Sequence, residues 1–114
     1  MFEARALAYE LARPGAIMSE IDTAVRKAIA DRGYGEGIIH RTGHGFGITG
    51  HEAPYIAEGY ERELVPGMLI SIEPGIYIPG LGGFRHSDTV LVTDDGCVRL
   101  TQAPERLEEL VLRL

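Results

Sequence analysis

Three of the chain's four histidines, His40, His44 and His51, fall in one glycine-rich stretch, and the carboxylate of Glu73 follows in the apolar run Leu69-Ile70-Ser71-Ile72-Glu73. Imidazole and carboxylate are the usual working groups of metal centres and of proton transfer near neutral pH. The stretch runs His40-Arg41-Thr42-Gly43-His44-Gly45-Phe46-Gly47, with His51-Glu52 after a short loop. Read as an extended strand, it turns His40, Thr42 and His44 to one face, because side chains alternate with a period of two. Gly43, Gly45 and Gly47 remove side-chain bulk, so a ligand can approach the backbone there. His51, arriving from the loop, returns over the same pocket. An ionised Glu73 in an apolar strand needs a partner, and a metal ion or a histidinium would be one. A lone histidine is more often a surface or core residue than a ligand; three beside a strand carboxylate read as a functional pocket.

The elements that must position these groups follow from pattern. Residues 3–12 are compatible with a helix, which stops at the breaker Arg13-Pro14-Gly15. Ile21, Val25, Ala28 and Ile29 recur at helical spacing and predict an amphipathic helix over about 19–32. Ser19 is its expected N-cap with Asp22 at the capping-box position, and Gly33 its C-terminal cap. Strands are expected over 38–46, 68–72 and 76–78, with a long one over 84–93. Asp94-Asp95-Gly96 turns the last into 97–101 as a hairpin, and 104–114 reads as a short helix. Helices first and antiparallel strands after make the fold class α+β, in one domain over residues 1–114.

Composition narrows the function classes. The 114 residues are 45% hydrophobic, near the globular average, which argues against disorder. Fifteen glycines are about double the usual share of roughly 7%, as expected for tight turns and close backbone approach around a site. Net charge is -6 with no basic run, so nucleic acid is not an expected partner. One cysteine, Cys97, excludes an internal disulfide. The first eleven residues carry Glu3, Arg5 and Glu10 and do not read as a signal peptide, and no apolar run is long enough to cross a bilayer. A cytoplasmic protein is the expectation.

The motifs resemble those of the pita-bread metallopeptidases, in particular the aminopeptidase P and prolidase branch. They are His40-Arg41-Thr42-Gly43-His44-Gly45-Phe46-Gly47 with His51-Glu52-Ala53-Pro54, then Leu64-Val65-Pro66-Gly67-Met68, Ile72-Glu73-Pro74-Gly75-Ile76-Tyr77, and Gly83-Phe84-Arg85 running into Asp88-Thr89-Val90-Leu91-Val92-Thr93. Their order and spacing match over essentially the whole chain. The resemblance implies the C-terminal half of a pita-bread catalytic domain, helices followed by a curved antiparallel sheet. It implies a centre of two divalent metals (manganese, cobalt, zinc or iron) that activates water against a peptide bond. His44 and Glu73 stand at metal-ligand positions, His40 and His51 at positions that contact substrate or stabilise developing charge, and Arg85 at a pocket-organising, substrate-binding position.

Two departures from the family pattern shape the expected activity. Ser87 stands where the family's remaining bridging glutamate is expected, and a hydroxyl cannot replace a bridging carboxylate, so one metal should be lost or weakened. His86 and Asp88 flank Ser87 but turn to the opposite face of the strand. The family's two metal-binding aspartates belong to the other half of the domain, and no such pair precedes His40. Three readings follow. The chain is half of an Xaa-Pro peptidase-like hydrolase, incomplete alone, acting on peptide N-termini; a metal-free creatinase-like hydrolase of a small amide; or a non-catalytic remnant. Half a curved sheet leaves apolar surface open, for which a homodimer or the missing N-terminal half is the expected partner.

Overall fold

The computed structural model describes residues 1–113. Two helices open the chain, α1 (Phe2–Leu11) and α2 (Met18–Ala30). Seven strands follow: β1 (Gly43–Gly45), β2 (Glu52–Ile56), β3 (Leu69–Ile72), β4 (Gly75–Ile78), β5 (Gly82–Arg85), β6 (Asp88–Val92) and β7 (Cys97–Arg99). The α+β class read from the sequence is the observed one.

Helix α2 buries Met18, Ile21, Val25 and Ile29, a stripe at helical spacing. It begins two residues earlier than its capping signals suggest, with the N-cap at Ile17 rather than Ser19. Ile17 occupies the N-cap position without a side-chain cap, and Ser19 lies inside the helix with its hydroxyl on Glu61 at 3.2 Å. The early amides are satisfied from elsewhere: Met18 and Ser19 donate to the carbonyls of Arg62 and Tyr60. Asp22 is consequently free of any capping role and is fully buried. The helix body ends at Ala30, and Gly33, with φ +84°, turns the chain as its expected cap.

A five-stranded antiparallel sheet has the order β2-β1-β3-β6-β7, and β4 and β5 form a separate two-stranded sheet. One face of the large sheet carries Ile70, Ile72, Val90 and Val92, which join Ala4, Ala8, Met18, Ile21 and Val25 of the helices in one apolar cluster. The other face carries His44. Two of the expected strands differ in the structure. The strand expected over 38–46 shrinks to Gly43–Gly45, because residues 38–42 are bonded to side chains and loops rather than to a ladder. The strand expected over 84–93 is two strands in different sheets, parted at His86-Ser87, since β5 pairs with β4 while β6 pairs with β3. Strand β2, for which the sequence pattern offered no element, contains Pro54, which the ladder admits because β2 is an edge strand. In the tail, the short helix expected over 104–114 is a 3-10 turn at Leu107–Leu110, and Leu114 lies outside the described residues.

Candidate metal centre

Sheet order assembles the site. His44 lies in β1, His51 just before β2, Glu73 just after β3 and Ser87 just before β6, on four strands that are neighbours in space. The β1–β2 register shifts between His44 and Gly45, so that Gly45 opposes Glu52 and the chain around His51 is drawn over β1. Pairing of Ile72 with Asp88 brings the next residue on β3 and the preceding residue on β6, Glu73 and Ser87, face to face. Gly43 allows the closest approach to another stretch of backbone: a Cβ there would lie 2.0 Å from the Ser71 carbonyl oxygen. At Gly75 a Cβ would meet His40 Nε2 at 2.7 Å, so the turn after Glu73 leaves room for an imidazole.

His44 is 3% exposed. Its Nδ1 donates to the Gly45 carbonyl at 3.0 Å, which turns Nε2 toward Glu73 Oε1 at 2.9 Å. With Nδ1 carrying the proton of a neutral ring, Nε2 and the carboxylate are both acceptors. Two acceptors this close demand a cation between them, a proton or a metal ion. The His51 ring centroid is 4.0 Å from that of His44, and donor atoms of His44, His51 and Glu73 all lie within 4.8 Å of one another. Ser71, buried beneath them, accepts from the His44 amide at 2.9 Å and donates to Glu73 Oε1 at 3.4 Å. The second oxygen of Glu73 accepts from the Ser87 hydroxyl at 3.2 Å and lies 4.0 Å from Arg85 Nη1.

Of the residues expected at the site, the structure gathers His44, His51 and Glu73, with Arg85 at its margin. It does not bring His40 into that group. The His40 ring donates from Nδ1 to the Arg41 carbonyl at 2.8 Å and accepts at Nε2 from the Tyr77 hydroxyl at 2.9 Å. The loop that presents His51 is pinned by Glu52, whose carboxylate accepts from the Thr49 amide and hydroxyl at 3.0 and 3.1 Å. Those bonds hold the Glu52 carboxyl below its ordinary value. Ser71, Tyr77 and Asp22 are contributors that sequence reading missed. The available signal was a polar residue standing inside an apolar pattern, as in Leu69-Ile70-Ser71-Ile72 and Ile21-Asp22.

His86 and Asp88 turn away from the centre, as strand alternation requires. Asp88 accepts from Tyr9 of α1 and from Thr101 Oγ1 at 2.7 Å, and faces Arg5 and His86 at 3.4 Å each. Burial by itself pushes the Asp88 carboxyl up, but these donors and cations outweigh it and hold it below its ordinary value. Burial, reinforced by Arg5, pushes the His86 imidazole down. Burial and the bond to Asp88 drive the Tyr9 phenol far above its ordinary range.

Three protein ligands with an open side suit one divalent ion, the pattern of catalytic rather than structural sites. They do not suit two, because Ser87 offers a hydroxyl already directed at Glu73 and no other group of three such donors stands beside it among the described residues.

Known proteins share this sequence and this fold. Residues 1–94 match the metallopeptidase family M24. The chain is 48% identical over 104 residues to the probable dipeptidase PepE of Mycobacterium tuberculosis, covering 91% of this chain and 28% of that protein. It is 48% identical over 107 residues to the Xaa-Pro dipeptidase of Pyrococcus furiosus, covering 94% of this chain and 31% of that protein. The crystal structure of the prolidase from Pyrococcus horikoshii superposes with a TM-score of 0.86 at 47% identity, covering 90% of this chain and 29% of that one. The chain therefore spans about three tenths of the length of the relatives it matches, and over that span its architecture is theirs, the pita-bread fold.

Proposed function

The chain belongs to metallopeptidase family M24, and from that footing we propose that it supplies the histidine–carboxylate wall of a hydrolase centre acting on Xaa-Pro dipeptides or the N-termini of peptides. The observation that carries the reading is the convergence of His44, His51 and Glu73 within 4.8 Å. His44 Nε2 and Glu73 Oε1 would hold a divalent ion (manganese, cobalt, zinc or iron), with His51 closing the set. Such an ion supplies Lewis acidity for the scissile carbonyl and for water. The protein's own residues orient the rest. The Gly45 carbonyl fixes the His44 tautomer, and Ser71 fixes Glu73 Oε1. Arg85, half-exposed beside Glu73, offers a cation to the carboxylate of a dipeptide. His40 meets substrate only by exchanging its bond from Tyr77, which makes it a group for binding and for moving a proton rather than a ligand.

In this reading the chain folds as a single domain that works with further polypeptide. Ile39, Leu81 and Phe84 stand exposed in and beside the β4–β5 sheet, as a surface awaiting either a second copy or an N-terminal half would. A cytoplasmic setting suits the free thiol of Cys97, and none of the described helices is long and apolar enough to cross a membrane.

A second reading, a metal-free creatinase-like hydrolase of a small amide, has one observation in its favour: the hydroxyl of Ser87 where a further carboxylate would strengthen metal binding. Metal content separates the two. After chelation and exchange into manganese, cobalt or zinc, the first reading expects close to one ion per chain by mass spectrometry. That retention should vanish in His44→Ala and Glu73→Ala. No retained ion, together with chelator-resistant amide hydrolysis, would establish the second reading instead.

A further inference from the structure

A carboxylate inside a helix's apolar stripe needs an explanation, since ionised groups are costly to bury unless each lone pair is met. Asp22 sits between Ile21 and Val25 of α2 and is 0% exposed. Its Oδ1 accepts from the Thr42 amide at 2.8 Å, and its Oδ2 from Arg26 Nε at 2.7 Å. Arg26 then reaches onward: Nη2 donates to the His40 carbonyl at 3.1 Å. Thr42 passes the constraint across, for its carbonyl accepts from the Glu73 amide at 2.7 Å. Residues 38–42 belong to no strand or helix, so these bonds hold the segment in place of a ladder.

We propose that Asp22 and Arg26 are positioning residues that set the separation of His44 and Glu73, acting from the helix face through the backbone of the single residue Thr42. An apolar residue at position 22 would pack in the stripe equally well, but it would leave the Thr42 amide without a partner and the approach to His44 without a fixed register. Arg26 gives the clamp its second jaw at His40, so one ion pair fixes the backbone on both sides of Arg41. Because Thr42 bonds to Asp22 on one side and to Glu73 on the other, a shift of the helix is transmitted to both members of the 2.9 Å His44–Glu73 pair. This assignment deepens the metal-centre reading and rests on it for its functional meaning.

The test uses the full chain with Asp22→Asn, Arg26→Gln and, as a control on the same helix but outside the network, Val25→Ala. Cobalt(II) affinity is measured by calorimetry and its visible absorption spectrum, and exchange of the Thr42 and Glu73 amides is followed in the ion-free protein. Asp22→Asn and Arg26→Gln should weaken cobalt binding about 10-fold or more, the usual effect of losing a group that orients a ligand. They should also accelerate exchange at both amides, whereas Val25→Ala should lower only global stability. Unchanged affinity and exchange in the two folded variants, or an equal loss in Val25→Ala, overturns the clamp. If Asp22→Asn does not fold, Arg26→Gln decides alone, because that side chain is 33% exposed. A wild-type chain that binds no cobalt refutes the metal-centre reading but not the clamp, which amide exchange then supports or overturns by itself.

Discussion

Glu73 divides its two oxygens between unlike neighbours, and that division governs what each serine beside it contributes. Ser71 is buried and bonds both the His44 amide and Oε1, whereas Ser87 is exposed and touches only Oε2. Removing a buried acceptor strands a backbone N–H, which costs about 1–3 kcal/mol, while an exposed hydroxyl is worth within about 0.5 kcal/mol. Ser71→Ala should therefore lower stability by about 1–3 kcal/mol in urea unfolding, with Ser87→Ala nearly silent. Equal effects would mean that Ser71 does not support the His44 amide. His44, His51 and Glu73 stood out in the sequence by type and spacing, the resemblance to the pita-bread metallopeptidases supplied their expected roles, and the structure brings the three together. Ser71, Tyr77 and Asp22 did not stand out, since each is defined by a bond to a residue at least 20 positions away: Asp22 to Thr42, Ser71 to His44, and Tyr77 to His40.

Among the elements, β1 is only three residues long yet lies between β2 and β3. Its tolerance is correspondingly small. Gly43→Ala would drive a methyl group into the Ser71 carbonyl, a backbone atom with nowhere to go, and should cost about 3 kcal/mol or more. Gly50→Ala, where nothing lies within 4 Å, should change stability by no more than about 0.5 kcal/mol. Denaturation midpoints of the two variants check this, and near-equal midpoints would show that β1 can move away from β3 without loss. Local pattern revealed α2 by its helical stripe, β3 as a short apolar run, and the β6–β7 hairpin by the alternation of β6 and the turn that follows it. It could not reveal that the chain changes sheets at His86-Ser87, because the switch is defined by distant pairing partners, β4 for β5 and β3 for β6. Nor could it locate the start of α2, whose first amides are satisfied by residues 60 and 62 rather than by a neighbouring side chain.

At the scale of the whole molecule, Asp88 ties the first helix to the sheet and to the tail through Arg5, Tyr9 and Thr101. Its carboxyl lies below its ordinary 3.8, so its contribution is complete above that value and is lost as pH falls through the lowered folded value. His86 lies below its ordinary 6.5, so on acidification the unfolded chain takes up the proton first, and stability falls as pH drops below about 6.5 toward the folded value. Both contributions weaken the fold in acid. His86→Gln should show a smaller loss of urea midpoint between about pH 7 and 5 than the unsubstituted chain; parallel profiles would place the acid sensitivity elsewhere. The arrangement of the centre across β2, β1, β3 and β6 has a kinetic consequence as well. Its donors are far apart along the chain and meet only after non-local strands have paired, and such pairing is the slow part of folding. A bound ion would therefore find its full ligand set only in the finished structure. Its stabilisation, about 2.7 kcal/mol at a hundredfold excess over its dissociation constant, would act by retarding unfolding rather than by hastening folding, making the ion a latch closed last and opened first.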